Sequence, residues 1–237
     1  SPPHRNSETF NFTGTIPPAG PFTVTMPATV HARVPLSLLA AIRDVDAPGG
    51  DAEAEYVQEL RNKRLGLSDT VYAQIRRYGD AVRRSQQISV VEATGLSTLI
   101  GRRPDAEEIF QSAGKKIARE VYLTISSSTR GIILLLPGFL ARPIALRQLR
   151  KIARKYFNAT MGRTGSFLTL TVLESVSAEQ APKGVGCRYY ESALRELLRL
   201  MVRGSGAVDH VRCLTRDEGA CEWRADWRSI QKSESHA

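Results

Sequence analysis

Hydrophobic residues recur at intervals of three and four along most of the chain, which is the spacing of amphipathic helices. The pattern predicts helices over residues 34–43, 51–63, 69–84, 104–121, 141–155 and 189–203. Ser68 stands where a side-chain oxygen would cap the third of these helices, and Pro104 stands near the start of the fourth. Gly114, inside the fourth helix, predicts either a close approach by another backbone or a ligand, or a neutrally tolerated glycine.

Alternation of apolar and polar residues predicts strands, mainly in the C-terminal third. Residues 166–177 give the clearest strand, and residues 208–214 and 221–227 predict a hairpin around the turn Asp217-Glu218-Gly219. Alternation from Phe22 onwards predicts a short strand or an arm exchanged within a dimer, and residues 88–93 predict a strand or a short helix. We therefore expect an α+β protein with an antiparallel sheet packed against helices.

Shifts in composition divide the chain into four predicted regions. Residues 1–30 are rich in Pro, Gly, Thr and Ser and predict a flexible arm, while residues 229–237 predict a disordered tail. Residues 31–100 predict a helical extension that joins the main domain or pairs with its copy in a homodimer. Residues 101–228 predict the main domain.

One stretch is almost wholly apolar: residues 131–140 read GIILLLPGFL. A helix that spans a bilayer needs about 20 apolar residues. This run is too short for that, and Pro137 interrupts it. It predicts a buried hydrophobic element or the wall of a pocket.

The formal net charge of +9 favours an acidic partner, and the densest basic stretch is residues 141–155. Pro143 fits the first turn of a helix there, with Ile144, Leu149, Ile152 and Tyr156 on the apolar side. We define the basic face of this helix by the cationic side chains opposite: Arg147, Arg150, Lys151, Arg154 and Lys155. This face predicts either an ordinary solvated surface, or a docking surface for an anionic membrane or an acidic patch on another protein. Nucleic acid is a less favoured partner, since no helix-turn-helix pattern is present.

Three cysteines and one histidine cluster in the last quarter of the chain: Cys187, His210, Cys213 and Cys221. Three thiolates and one imidazole make a complete tetrahedral set for a structural zinc ion, with no position left for a substrate. Two other interpretations stay open. The cysteines are buried core residues, or Cys213 and Cys221 form a disulfide that leaves Cys187 unpaired.

Residues 186–227 read GCRYYESALRELLRLMVRGSGAVDHVRCLTRDEGACEWRADW. They contain a Gly-Cys-Tyr-type opening, an amphipathic helix, a Val-x-Cys strand, an acidic-Gly turn and a closing Cys-x-Trp strand. This pattern resembles the C-terminal signature of the 4-vinyl-reductase domain family. The resemblance is specific over this segment, looser back to Arg102, and absent from the first hundred residues.

The resemblance implies a ligand-binding α+β fold that is also similar to a vesicle-tethering subunit with a lipid channel. In the family's sensors of aromatic compounds, three cysteines and a glutamate hold the metal; here Cys187, Cys213 and Cys221 match the cysteines. His210 falls where the glutamate stands. The implied ligand is a hydrophobic or aromatic small molecule, such as a tetrapyrrole intermediate of bacteriochlorophyll synthesis.

The predicted ligand pocket lies between the sheet and the surrounding helices. Its candidate residues are Ile109, Ile117, Ile133, Leu135, Phe139, Tyr156, Tyr190, Trp223 and Trp227. The two tryptophans are four residues apart on the last strand and so share a face, which predicts either core packing against Tyr190 or an aromatic wall of the pocket.

Catalysis has little support in the sequence. The chain has no Gly-x-Ser-x-Gly elbow, no phosphate-binding loop and no dinucleotide fingerprint. Reduction of a vinyl group, the activity that gives the family its name, is therefore the least favoured hypothesis for the function. The N-terminal residues lack the pattern of a secretory signal, and three thiols suit a reducing compartment, so we expect a cytoplasmic protein or one peripheral to a membrane.

Overall fold

A computed structural model of the protein describes residues 28–46, 68–202 and 207–226. The predicted helix over 51–63, almost all of the N-terminal arm, Trp227 and the C-terminal tail lie outside these residues.

The described chain is a mixed α+β structure with seven helices and two antiparallel sheets. The helices are α1 (Arg33–Asp46), α2 (Asp69–Arg83), α3 (Val90–Gly101), α4 (Ala106–Leu123), α5 (Ser127–Leu135), α6 (Gly138–Phe157) and α7 (Arg188–Val202). The strands are β1 (Thr29–His31), β2 (Gln87–Ser89), β3 (Ala159–Thr164), β4 (Phe167–Val172), β5 (Val208–Arg212) and β6 (Cys221–Asp226). No helix of the described ranges is both long and apolar enough to cross a membrane.

The predicted helix ends agree with the structure at most positions. The Ser68 hydroxyl accepts a hydrogen bond of 3.3 Å from the Val71 N–H and caps α2, as predicted. The helix with the basic face is the exception, because α6 begins at Gly138 and Pro143 lies inside it instead of in its first turn. Pro143 is exposed, and because proline has no N–H, it cannot donate a hydrogen bond to the preceding turn of the helix.

The larger sheet has the strand order β3-β4-β6-β5, with every neighbouring pair antiparallel. The alternation predicted for β4 is confirmed: Leu168, Leu170 and Val172 are buried, while the residues between them face outwards. The strand ends at Val172, short of the predicted 177, because residues 173–177 bend into two short 3-10 turns, Ala178–Gln180 and Pro182–Cys187. The predicted hairpin is formed by β5 and β6.

The smaller sheet pairs β1 with β2 within one chain, with Val30 opposite Ile88. Residues 88–93 thus contain both alternatives that their sequence predicted, the end of a strand and the start of α3. Leu38 and Ile42 of α1 belong to the same buried cluster as Ile109 and Trp223. The predicted extension and the predicted binding domain therefore share one hydrophobic core.

Helices α4 and α7 form the closest helix pair, and Gly114 lies at their contact. A Cβ atom at this position would overlap the Tyr189 carbonyl oxygen and the Ser192 hydroxyl of α7. Of the two sequence interpretations, the close approach of another backbone is the one found. The apolar side of α4, formed by Ile109, Ala113, Ile117 and Val121, is fully buried.

Candidate metal centre

The three cysteines and His210 meet where the start of α7 packs against the β5–β6 hairpin. Cys187 is the last residue of the second 3-10 turn, directly before α7, and Cys221 is the first residue of β6. Cys213 follows β5 and begins the turn that joins the two strands. The four residues come from three separate places in the chain, and folding alone unites them.

The distances between the sulfurs match a tetrahedral metal site. Cys187 Sγ lies 3.6 Å from Cys213 Sγ and 3.9 Å from Cys221 Sγ. A tetrahedral zinc ion bound at about 2.3 Å from each sulfur separates its sulfur ligands by about 3.8 Å. The ligand atoms of all four residues lie within 4.8 Å of one another. All three cysteines are free, so the predicted alternative of a Cys213–Cys221 disulfide is wrong.

His210 reaches the sulfurs because β5 is irregular. On a regular strand, His210 and Cys213 would point to opposite faces, since side chains alternate with a period of two. The pairing of β5 with β6 shifts register between His210 and Arg212, where a bulge inserts one residue. Three buried cysteines alone would be consistent with ordinary packing in the hydrophobic core. Core packing does not explain why a histidine lies beside the same sulfurs, whereas a metal site does.

The imidazole of His210 is held by an aromatic neighbour and has an unsatisfied nitrogen. Its ring stacks on Trp223, with 4.8 Å between the ring centroids and 12° between the planes. Its Nε2 atom is buried and has no hydrogen-bond partner among the described residues. A buried polar nitrogen without a partner costs free energy, and coordination of a metal ion removes this cost. The residues present therefore fit a metal of the zinc class.

One backbone group and one side-chain hydroxyl support the sulfurs from outside the cluster. The Leu214 N–H donates to Cys221 Sγ over 3.3 Å, and the Thr215 hydroxyl lies 2.9 Å from Cys213 Sγ. Gly184, with a φ of +69°, brings its backbone near Cys213 and Cys187. Such outer contacts fix ligand orientation in metal sites.

Gly186 allows a close packing of the turns that precede α7. A Cβ atom there would overlap the Ser177 carbonyl oxygen, while the Ser177 hydroxyl donates to the Gly186 carbonyl over 2.8 Å. This glycine therefore lets the two 3-10 turns cross closely before α7, which sets the position of Cys187.

The cysteine pKa values show the chemistry of crowded thiols. The hydrogen bond that Cys187 shares with Cys221, followed by burial and the neighbouring sulfurs, raises the pKa of Cys187 well above its usual range. The same hydrogen bond, helped by His210 and the Leu214 N–H against the effect of burial, lowers the pKa of Cys221 to about 4. Several thiolates in one buried site repel each other, and a divalent cation would hold all of them deprotonated.

The residues predicted for a ligand pocket do not converge on one cavity. Ile109, Ile117, Ile133, Tyr156, Tyr190 and Trp223 are buried in the core. Trp223 packs against Tyr190 with 5.2 Å between ring centroids, so core packing is the alternative that the structure supports for this tryptophan. Trp227 lies outside the described residues.

Leu135 and Phe139 depart most from the prediction. Their side chains are 87% and 73% exposed, because residues 131–140 form the corner between α5 and α6 on the surface. Ile133 is the one buried side chain among the residues of this run whose burial the structure describes. Residues 131–140 are therefore not the buried element or internal pocket wall that their apolar sequence predicted.

One small apolar cavity lies between α6, the sheet and α7. Its volume is about 10 Å³, and its lining includes Leu149, Phe157, Leu170 and Tyr190. This is roughly the space of one water molecule, whereas pockets for drug-sized ligands measure about 300–1,000 Å³.

The basic face of α6 has the predicted arrangement. All five of its cationic side chains are exposed, while Leu149, Ile152 and Tyr156 are buried on the opposite side. Arg150 donates to the Met161 carbonyl over 3.2 Å, and the Lys155 ammonium lies 5.2 Å from the centroid of the Tyr156 ring.

Sequence reasoning missed Thr215 and Glu218 as supports of the metal centre. The Glu218 carboxylate accepts from the Cys213 N–H over 2.5 Å and pairs with Arg216 at 3.0 Å, so it fixes the turn that carries Cys213. Glu218 stands three residues before Cys221 in the sequence, but its position predicts only a turn.

No family model, no curated protein and no solved structure matches the chain. The resemblance to the 4-vinyl-reductase domain family therefore stays a prediction.

Proposed function

We propose that the protein is a non-catalytic binding domain stabilised by a structural zinc ion held by Cys187, His210, Cys213 and Cys221. The observation that carries this proposal is the convergence of three sulfurs and one unsatisfied imidazole at tetrahedral spacing. Thiolate and imidazole ligands in this combination favour zinc over the hard cations magnesium and calcium.

The composition of the site favours a structural role over a catalytic one. Catalytic zinc usually has three protein ligands and an open position for water, while structural zinc has four protein ligands. The three cysteines are buried, and His210 is partly buried against Trp223. A bound ion would join the start of α7 to both strands of the β5–β6 hairpin, so its binding energy would contribute directly to folding.

A hydrophobic or aromatic small molecule is the ligand that the family resemblance favours. Its support is the sequence of residues 186–227. Because the predicted pocket residues pack as core and the cavity near Tyr190 has room for about one water, such a ligand would require this packing to open. A vinyl reductase has less support still, since the proposed metal set leaves no open coordination position.

Native mass spectrometry of the freshly purified chain, beside a zinc assay and an absorption spectrum, tests the proposal. We expect one zinc ion per chain. A copurifying pigment or other hydrophobic mass would add the small-molecule function. Three free thiols without zinc, under non-chelating conditions, would contradict the metal centre.

Substitution of one ligand separates metal binding from simple packing. Cys213→Ser is expected to lose the zinc ion and several kcal/mol of stability, because binding of structural zinc is coupled to folding. Leu197→Ala, which truncates a buried core side chain ten residues beyond Cys187, is the control and is expected to lose stability but retain zinc. Equal melting temperatures and equal zinc content for Cys213→Ser and the parent would contradict the assignment.

A further inference from the structure

The positive charge of the chain is concentrated in one part of the sequence. Residues 121–173 contain eight Lys and Arg and no Asp or Glu, so this segment accounts for +8 of the net +9. None of these eight side chains forms an ion pair with another residue in the parts of the chain that the structure describes. Their charge is therefore available to a partner outside the molecule.

Exposed apolar side chains are concentrated in the same segment. Ten large hydrophobic side chains are exposed among the described residues, and eight of them belong to residues 121–173. These eight are Leu123, Ile132, Leu134, Leu135, Phe139, Leu140, Phe167 and Leu173. Five of them lie at the α5–α6 corner, and we call Leu135, Phe139 and Leu140 the apolar tip.

The apolar tip and the basic face are continuous along α6. At 100° per residue, Phe139, Leu140 and the basic face fall within an arc of about 160° around the helix. The buried side chains of α6, such as Leu149 and Ile152, lie on the opposite side. One exposed surface of a helix about 30 Å long is thus apolar at its N-terminal end and cationic along the rest.

We propose that this surface docks the protein on an anionic lipid bilayer, with the apolar tip inserted among the lipids and the basic face on the headgroups. Exposed apolar residues beside Lys and Arg on one helix surface provide the two attractions that interfacial helices use. Anionic headgroups attract each nearby Lys or Arg, and a segment without Asp or Glu has nothing to oppose this attraction. The charge therefore favours an anionic bilayer over a neutral one, and the exposed tip favours a bilayer over a polar acidic protein surface.

Vesicle cosedimentation of the full chain tests both attractions. The vesicles are phosphatidylcholine alone and phosphatidylcholine mixed with phosphatidylglycerol. We expect binding to the mixed vesicles only, and weaker binding as salt screens the charges. Absence of binding to mixed vesicles at low salt would overturn the proposal, and so would equal binding to both lipids.

Two sets of variants separate the roles of the tip and the basic face. We expect Leu135→Ser with Phe139→Ser to weaken binding strongly, while Val91→Ser with Leu99→Ser, which are also exposed but distant in sequence, leaves it unchanged. We expect Arg147→Gln, Lys151→Gln and Arg154→Gln together to weaken binding at least about tenfold. Arg76→Gln, Arg84→Gln and Lys115→Gln remove the same charge from exposed sites outside the segment and serve as the control.

Phe139→Trp reports insertion directly. Its fluorescence is expected to shift to shorter wavelength with mixed vesicles and to be quenched by brominated lipid, while Val91→Trp shows neither change. If Leu135→Ser with Phe139→Ser leaves vesicle binding unchanged, the interaction is non-specific electrostatic attraction and the proposal is overturned. If the parent chain self-associates but does not bind vesicles, and Phe139→Ser no longer self-associates, the tip is a contact between copies of the chain and the proposal is overturned.

Discussion

Two histidines of the described chain lie in opposite chemical settings. His31 is buried against Tyr156, with 4.7 Å between ring centroids, and its Nδ1 accepts a hydrogen bond of 3.2 Å from the Arg33 N–H. Burial, followed by the charges of Arg33 and Lys155, lowers the pKa of His31 from 6.5 to about 4. His210 instead points its ring at three sulfurs. Identical side chains thus differ in role because of what surrounds them.

The lowered pKa of His31 predicts a loss of stability in acid. Below its unfolded pKa of about 6.5, the unfolded chain binds a proton that the folded chain excludes, so stability falls as the pH drops towards 4. His31→Gln is expected to flatten this part of the pH–stability curve, measured by urea unfolding. A variant whose stability falls between pH 6.5 and 4 as steeply as the parent's would show that other groups cause the decline.

His210 can be tested as a ligand separately from its stacking on Trp223. His210→Phe preserves an aromatic ring there but removes the nitrogen, and we expect it to weaken zinc binding at least about tenfold. His210→Cys supplies a fourth thiolate and is expected to retain zinc, since four cysteines also form a structural site. Competition with a chromophoric chelator measures both affinities. Parent-like affinity in His210→Phe would remove His210 from the site.

At the scale of elements, the contact between α4 and α7 depends on the absence of a side chain at Gly114. Two helices approach this closely only where a small residue leaves room for the facing backbone, here that of Tyr189 and Ala193. The same packing places the start of α7, and with it Cys187, against the hairpin.

Gly114→Ala is therefore expected to destabilise the protein by about 1–3 kcal/mol or more, because the added methyl group meets backbone. Gly95→Ala is the matched control: it lies inside α3 with open space around it, and alanine there is expected to stabilise the helix by up to about 1 kcal/mol. Thermal melts of both variants measure the contrast. A neutral Gly114→Ala would show that the two helices move apart at little cost.

At the scale of the whole molecule, the N-terminal helices and the half that carries the candidate metal centre bury one another. Arg33 of α1 pairs with Glu120 of α4 at 2.8 Å, and Arg103 pairs with Asp46 at 2.6 Å. Leu38 and Ile42 fill the same core as Ile109. The boundary predicted near residue 100 therefore crosses a continuous hydrophobic core.

A fragment that begins at residue 101 is expected not to fold cooperatively, because it exposes the face of α4 that α1 covers. Near-ultraviolet circular dichroism and a thermal melt, with zinc present, test this. Cooperative melting of the fragment with one zinc bound would support the separate binding domain that the sequence predicted.

Much of this protein follows from its sequence because the relevant forces are local. Helix periodicity, the Ser68 cap, the alternation in β4 and the acidic-Gly turn before Cys221 each depend on residues close together in the chain. The four residues of the candidate metal centre were also recognisable, since thiols and imidazole have distinctive chemistry whatever the fold.

Tertiary structure alone decided how distant parts meet. The bulge after His210 brings its imidazole to the sulfurs, and Gly186 and Gly114 matter only because another backbone crosses them. Apolar residues 131–140 predicted burial, yet most of them lie on the surface, because the core is already filled by α4, α6 and α7. Hydrophobicity determines which side chains gain from burial, but the packing of the whole chain determines which of them find a place in the core.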